Sequence, residues 1–236
     1  LFGSTIFHQA ETDGMFVATK LPKRSLLIVG DSISAGYGNE SKTIHCTLNE
    51  KNQNHYATFG AIAARKYAMA LTTLAISGSG VVVNFDGGRQ GTMPNRVSRA
   101  DPNAPWAWKE KERADIVLVH LGTNDFSYPK LDENLFEQTY STLLTTLRTQ
   151  HPSAMIYTTI GPMLQDDQRA RAIAAIQRVV EEQRKTDKKV RAWVFTTYPG
   201  TEDRGCNWHP NRLGHERMAK QLIAEIAKDF PQWVIP

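Results

Sequence analysis

From Ser25 onward the chain alternates short apolar runs with stretches in which apolar residues recur every three or four positions. That alternation predicts an α/β domain of buried parallel strands, with amphipathic helices packed on both faces of the sheet. Leu26–Val29 reads as the first strand, and a helix is expected over Tyr56–Met69. Leu71–Ile76 reads as strand two, running into Ser77-Gly78-Ser79-Gly80, and Ile116–Leu121 as strand three, apolar as a central parallel strand should be. Leu135, Phe136, Tyr140, Leu143, Leu144 and Leu147 fall on one stripe of the following helix. Met155–Thr159 reads as strand four, Asp167–Lys185 as a helix rich in Ala and Arg, and Val190–Phe195 as strand five. A last helix is expected over about Arg212–Asp229, with Met218, Leu222, Ile223 and Ile226 facing inward. The expected fold is therefore α/β, with five parallel strands in one sheet.

Two stretches break the pattern. Residues 1–20 are short mixed segments, and Leu21-Pro22-Lys23-Arg24 reads as a linker into strand one, so the leading segment has the character of a piece of another module. Phe85–Lys111 is equally irregular, with Gly, Pro, Asn and Arg around Trp106 and Trp108. Loops of that length inside compact α/β domains are functional or disordered. Two tryptophans argue against disorder, which leaves a wall of the active site or simple packing on the sheet as the readings.

A length of 236 residues supports one substantial core and is short for two full domains. With 41% hydrophobic and 22% charged residues, the composition is that of a soluble globular protein. The net charge of +4 is spread among interspersed Lys, Arg, Asp and Glu, which describes a solvated mixed surface and not a nucleic-acid partner. No stretch approaches the ~20 apolar residues of a membrane span. Because the chain begins at Leu1, the lack of a leader peptide says nothing about compartment. Cys46 and Cys206 are compatible with one bridge in an oxidising compartment or with two buried thiols.

Chemistry concentrates where predicted strands end, the edge at which open parallel sheets bind ligands. Gly30-Asp31-Ser32-Ile33-Ser34 follows strand one, and a serine in such a turn can expose its hydroxyl while nearby N–H groups face a developing oxyanion. Gly78 follows strand two, where the absence of a side chain lets its N–H approach a substrate carbonyl. Gly122-Thr123-Asn124-Asp125 follows strand three, and Asn124 offers a side-chain amide as another oxyanion donor. Cys206-Asn207-Trp208-His209-Pro210 precedes the last helix, and His209 has the acid–base range to take a proton from Ser32 and return it to a leaving group. Each segment alone is compatible with a structural turn; the four in this order point to one site.

Together these blocks resemble the SGNH, or GDSL-type, hydrolase superfamily, over about Arg24 to Asp229. Within it, Gly30-Asp31-Ser32-Ile33-Ser34-Ala35-Gly36-Tyr37-Gly38, Ser77-Gly78-Ser79-Gly80 with Asn84, and Gly205-Cys206-Asn207-Trp208-His209-Pro210 are similar to the carbohydrate esterase family 2 acetyl esterases, which include acetyl xylan esterases. The resemblance implies a flavodoxin-like SGNH hydrolase fold, Ser32 as nucleophile, His209 as base, and an oxyanion hole from the Ser32 and Gly78 N–H groups and the Asn124 amide. It implies hydrolysis of carbohydrate O-acetyl esters without metal or other cofactor, an acetylated oligo- or polysaccharide as partner, and a secreted or periplasmic setting. Since those esterases carry a small β-sandwich first, residues 1–23, including Thr12-Asp13-Gly14, are expected to be the remnant of that module with its linker, and residues 24–236 the catalytic domain.

One departure stands out. The superfamily usually has Asp three residues before its histidine; here Cys206 occupies that position, and Asn207 stands where many family 2 members have Asp. Neither supplies the charge that steadies an imidazolium. A Ser–His dyad with a backbone carbonyl behind the imidazole is therefore expected, with Asn207, Trp208 and Asp31 as further candidates for orienting the base or meeting substrate. Trp208 suits a sugar ring or a shield for His209. His45, Cys46 and His55 match no compact metal-ligand spacing, and His215 reads as a helix-face residue with a structural hydrogen bond. Acyl transfer, lipid-ester hydrolysis and non-catalytic carbohydrate binding are the competing functions, the second weakened by the lack of an apolar lid-like helix.

Overall fold

The computed structural model describes residues 8–18, 20, 22–98 and 113–233. Strand β1, Arg24–Gly30, is followed by a single helical turn α1, Ser32–Ala35, then α2, Phe59–Lys66, and β2, Met69–Ala75. Strand β3, Ile116–His120, leads into α3, Thr123–Ser127, and α4, Glu133–Gln150; β4 is Met155–Ile160 and α5 Asp166–Gln183; β5, Val190–Val194, precedes α6, Arg212–Asp229. All strand pairs are parallel, in the order β2-β1-β3-β4-β5. This is the flavodoxin-like order, with its switch point between β1 and β3.

Side chains of one strand alternate between the sheet's faces, so β1 serves two cores at once. Leu27 and Val29 join Val117 and Val119 under α4 and α5, where Phe136, Tyr140, Leu147, Ile176 and Val180 are buried. Leu26 and Ile28 join Ile116 and Leu118 under α2 and α6, against Phe59, Ala63, Leu222 and Ile226. Burial on both faces is why these strands read as continuous apolar runs.

Boundaries and burial differ from expectation most at α2 and at the start of α4. The helix expected over Tyr56–Met69 is shorter, because Thr58 caps it by accepting from the Ala61 N–H, and Met69 already pairs with Arg24 in the sheet. Leu135 is 37% exposed, since it lies in the first turn of α4, beside the Asp132 cap and off the inward stripe that starts at Phe136. Residues 8–18 form no strand pairing with the other described residues, and Met15, Phe16 and Val17 are exposed. An unpaired segment has no ladder to make it a strand. Residues 99–112, and with them Trp106 and Trp108, lie outside the described residues. Among the described residues no helix is long and apolar enough to cross a membrane.

Candidate active site

Strand β1 ends at Gly30, and Asp31 closes the turn by capping α1, its Oδ1 accepting the Ile33 N–H at 3.0 Å. This places Ser32 at the first position of α1, at the sheet edge, with the residue 8% exposed. Asp31 itself is fully buried, and burial pushes its carboxyl up to about 7. Of its two oxygens, Oδ1 caps the turn and Oδ2 is buried without a hydrogen-bond partner among the described residues.

His209 reaches Ser32 from the other end of the chain. Its Nε2 lies 2.8 Å from Ser32 Oγ. Behind the ring, Nδ1 faces two main-chain oxygens, Cys206 O at 3.2 Å and Asn207 O at 3.1 Å. Carbonyl oxygens only accept, so this geometry assigns the proton to Nδ1 and leaves the Nε2 lone pair for the serine hydroxyl. Burial pushes the His209 pKa down to about 4, with the two carbonyl contacts pulling back upward. At neutral pH the ring is therefore a neutral imidazole, protonated on Nδ1 with Nε2 free to accept.

The two carbonyls are aimed by an unusual backbone. Asn207 and Trp208 have φ of 51° and 66°, consecutive left-handed residues that are not glycine. Such conformations cost of order 1 kcal/mol or more each and persist where neighbours hold them. The neighbours are residues 37–46. The Asn207 N–H donates to Ile44 O at 2.9 Å, Asn207 Nδ2 donates to Tyr37 Oη at 2.9 Å, and the Tyr37 ring lies 4.2 Å from that of His209. Cys206 is bonded to Cys46, which resolves the choice between bridge and free thiols. Gly38 passes so close that a Cβ there would sit 2.3 Å from Cys206 Cβ, and its φ is 63°.

The oxyanion candidates lie on the facing loops. Gly78 has φ 80° and space around a notional Cβ, so conformation and not crowding calls for glycine there. Among the described residues, the Ser32 and Gly78 N–H groups have no acceptor. Asn124 is buried, and its Nδ2 donates to Ser79 O at 2.9 Å, which leaves one of its two amide hydrogens uncommitted. Asp125 next to it has a part that sequence reasoning did not assign. Its buried carboxylate accepts from the N–H groups of Val81, Val82 and Val83 at 2.8 to 3.1 Å, folding the loop after Gly78 around itself. The only sequence signal was an acid directly after Asn124 in a strand-end turn. Tyr37, too, was visible only as part of the first block.

Trp208 is half exposed and lines a cleft of about 610 Å³ between the loops that follow β4 and β5, together with Leu164, Arg169, Tyr198 and Arg204. Asn207, by contrast, turns its side chain toward Tyr37 and supplies only its carbonyl to His209. His215 is buried and accepts from the Phe59 N–H at 3.1 Å, a structural role. Among the described residues no group of three His, Cys, Asp or Glu could hold a metal ion, and Cys46 of the His45, Cys46, His55 set is spent in the bridge.

Comparison with known proteins places this geometry. The GDSL-like Lipase/Acylhydrolase family matches residues 28–217. Over 214 residues, 90% of the chain, identity to the cellulase/esterase CelE of Acetivibrio thermocellus is 32%, and the chain spans 26% of that protein. An acetylxylan esterase / glucomannan deacetylase of Cellvibrio japonicus is 24% identical over 89% of this chain and 58% of its own length. A solved family two carbohydrate esterase from Clostridium thermocellum, in complex with cellohexaose, superimposes with a TM-score of 0.88 at 31% identity, covering 92% of this chain and 67% of that one. The chain thus spans from about a quarter to under two thirds of the curated relatives it matches.

Proposed function

This chain belongs to the GDSL-like lipase/acylhydrolase family, and from that premise we propose that it is a serine esterase removing O-acetyl groups from carbohydrate. The observation that carries the reading is the 2.8 Å approach of Ser32 Oγ to a His209 whose other nitrogen is committed to carbonyl oxygens. The acetyl and carbohydrate parts are supported by the names of the relatives, one an acetylxylan esterase / glucomannan deacetylase and another a carbohydrate esterase seen with cellohexaose.

In the proposed reaction Ser32 Oγ attacks the acetyl carbonyl carbon as its proton passes to His209 Nε2. The Ser32 and Gly78 N–H groups and the Asn124 amide receive the oxyanion, a contribution for which each donor is worth ~10²–10³ in turnover. The bond to the sugar oxygen breaks as His209 returns the proton, leaving acetyl-Ser32. Water, deprotonated by the same imidazole, then attacks and releases acetate. No carboxylate among the described residues stands behind His209; the Cys206 and Asn207 carbonyls hold the ring through both halves. Trp208 and the adjoining cleft are proposed to receive the sugar. Residues 24–236 are proposed as the catalytic domain, with 1–23 belonging to a preceding β-sandwich module, and the Cys46–Cys206 bridge favours a secreted or periplasmic setting.

Acetate release from acetylated xylan and from a chromogenic acetyl ester tests the reading. Ser32→Ala and His209→Ala are each expected to lose at least ~10³ in turnover, as members of a nucleophile–base unit do, while folding normally, and octanoyl esters are expected to be poor substrates. Comparable turnover by either variant removes the assignment, and a preference for long acyl chains moves the protein to lipid esters.

A further inference from the structure

The bridge between Cys46 and Cys206 is far from incidental to the base. Cys206 is completely buried, and its own carbonyl is one of the two that accept from His209 Nδ1. The second carbonyl belongs to the next residue, Asn207, whose N–H is held by Ile44, two positions from Cys46. Residues 37–49 contain no helix or strand, so few backbone bonds fix this loop by itself. Ser41 N to Gly38 O and Cys206 N to Gly38 O are among its main-chain ties. Against it lies a dipeptide, Asn207-Trp208, in a conformation that relaxes unless held.

We propose that the Cys46–Cys206 disulfide is a positioning element for His209, holding the left-handed turn whose two carbonyls take the place of a carboxylate behind the imidazole. This rests on the reading of His209 as the base. The bridge ties the loop carrying Ile44 to the residue that starts the turn, so it fixes both carbonyls with a single covalent link. Breaking it lets Asn207 and Trp208 return to ordinary φ, which swings the Asn207 carbonyl away from Nδ1. The imidazole then loses its preferred tautomer and its aim at Ser32, but the sugar cleft, built from the loops after β4 and β5, is untouched apart from Trp208. The defect should therefore fall on turnover and not on substrate affinity.

The bond is reachable, because Cys46 is partly exposed. A phosphine reductant with water delivers two electrons and two protons and leaves two thiols. In the folded wild type, checked by an unchanged far-ultraviolet circular dichroism spectrum, reduction is expected to lower kcat for an acetyl ester by about 10- to 100-fold, the scale of a misplaced catalytic group. KM should stay within about twofold by the same argument, and reoxidation should restore kcat. Cys46→Ser, which leaves Cys206 in its buried position, should show the same low kcat and no response to reductant. Nitrogen-15 spectra of the imidazoles supply a readout independent of turnover: His209 should lose its Nδ1–H signature on reduction and regain it on oxidation. Unchanged kcat and an unchanged His209 spectrum in the reduced, folded protein overturn the proposal while leaving the esterase reading intact. If the oxidised chain cleaves acetyl esters as fast with Ser32→Ala as without it, the reading of the site falls first, and the proposal with it.

Discussion

His209 has carbonyl dipoles behind it and, among the described residues, no carboxylate, and its pH behaviour follows from that. Protonation places a full charge in a dry setting that answers with partial charges only, and burial pushes the pKa down to about 4 from an ordinary 6.5. In the proposed role the base is the neutral ring, so the acidic limb of kcat/KM should lie well below the usual histidine range, with activity sustained to about pH 5; a limb near 6.5 in the free enzyme would mean that some negative charge supports the ring after all. Asn207 offers a sharper contrast. Asn207→Gly keeps the carbonyl and suits the left-handed backbone, so its kcat should stay within about threefold of wild type. Asn207→Ala adds strain at φ 51° and loses the bond to Tyr37, and should cost about 1 kcal/mol of stability with a modest loss of turnover. A fall near the ~10⁴ of a lost triad aspartate would instead assign the orienting role to the side chain. That a main-chain carbonyl would stand behind the ring was expected from the resemblance and the missing Asp, but which carbonyls serve was not legible, because every residue has one and only its φ and ψ decide where it points. The pairing of Ser32 with His209 was expected from the residue types at those strand ends, and the structure brings the two within 2.8 Å.

At the scale of elements, the loop after β1 and the turn before α6 behave as one unit, with Gly38 at the contact. A methyl group there meets Cys206 Cβ at 2.3 Å on a backbone with φ 63°, so neither a rotamer nor a small shift accommodates it. Gly38→Ala should destabilise the protein by more than ~2 kcal/mol and depress kcat, both read from a denaturation curve and initial rates on one sample; wild-type turnover would show that the two elements move independently. The strands that carry these loops were legible as apolar runs because both of their faces are covered. Helix boundaries were less so: Tyr56 and Ala57 have helical character in sequence, but Thr58 competes for the cap and β1 draws Met69 into the sheet. The loop around Asp125 escaped notice because three backbone N–H groups converging on one carboxylate leave no periodic trace.

Over the whole molecule, buried titratable groups set the response to acid. Burial lowers the pKa of His209 to about 4 and of His120 and His215 to about 3, and lowers those of His55 and His151 as well. Folded, these rings stay neutral where the unfolded chain already takes protons near ~6.5, so stability is lost as pH falls below that value. Asp31, raised by burial to about 7, and Asp125, also raised by burial, act in the opposite sense: their contribution is full below the unfolded carboxylate pKa and is lost as pH rises through the folded one. Five histidines outweigh two carboxyls, and the urea midpoint should be lower at pH 4.5 than at pH 6.5; an equal or higher midpoint at pH 4.5 contradicts the neutral buried histidines. The bridge has a consequence at this scale that concerns the denatured chain. Its two ends are 160 residues apart in sequence, so a ring closed by one bond encloses four of the five strands. An unfolded polymer closed into such a ring forgoes about 5 kcal/mol of loop-closure entropy relative to the open chain. Two preparations of this sequence that differ by a pair of electrons should therefore melt at different temperatures, the open coil first.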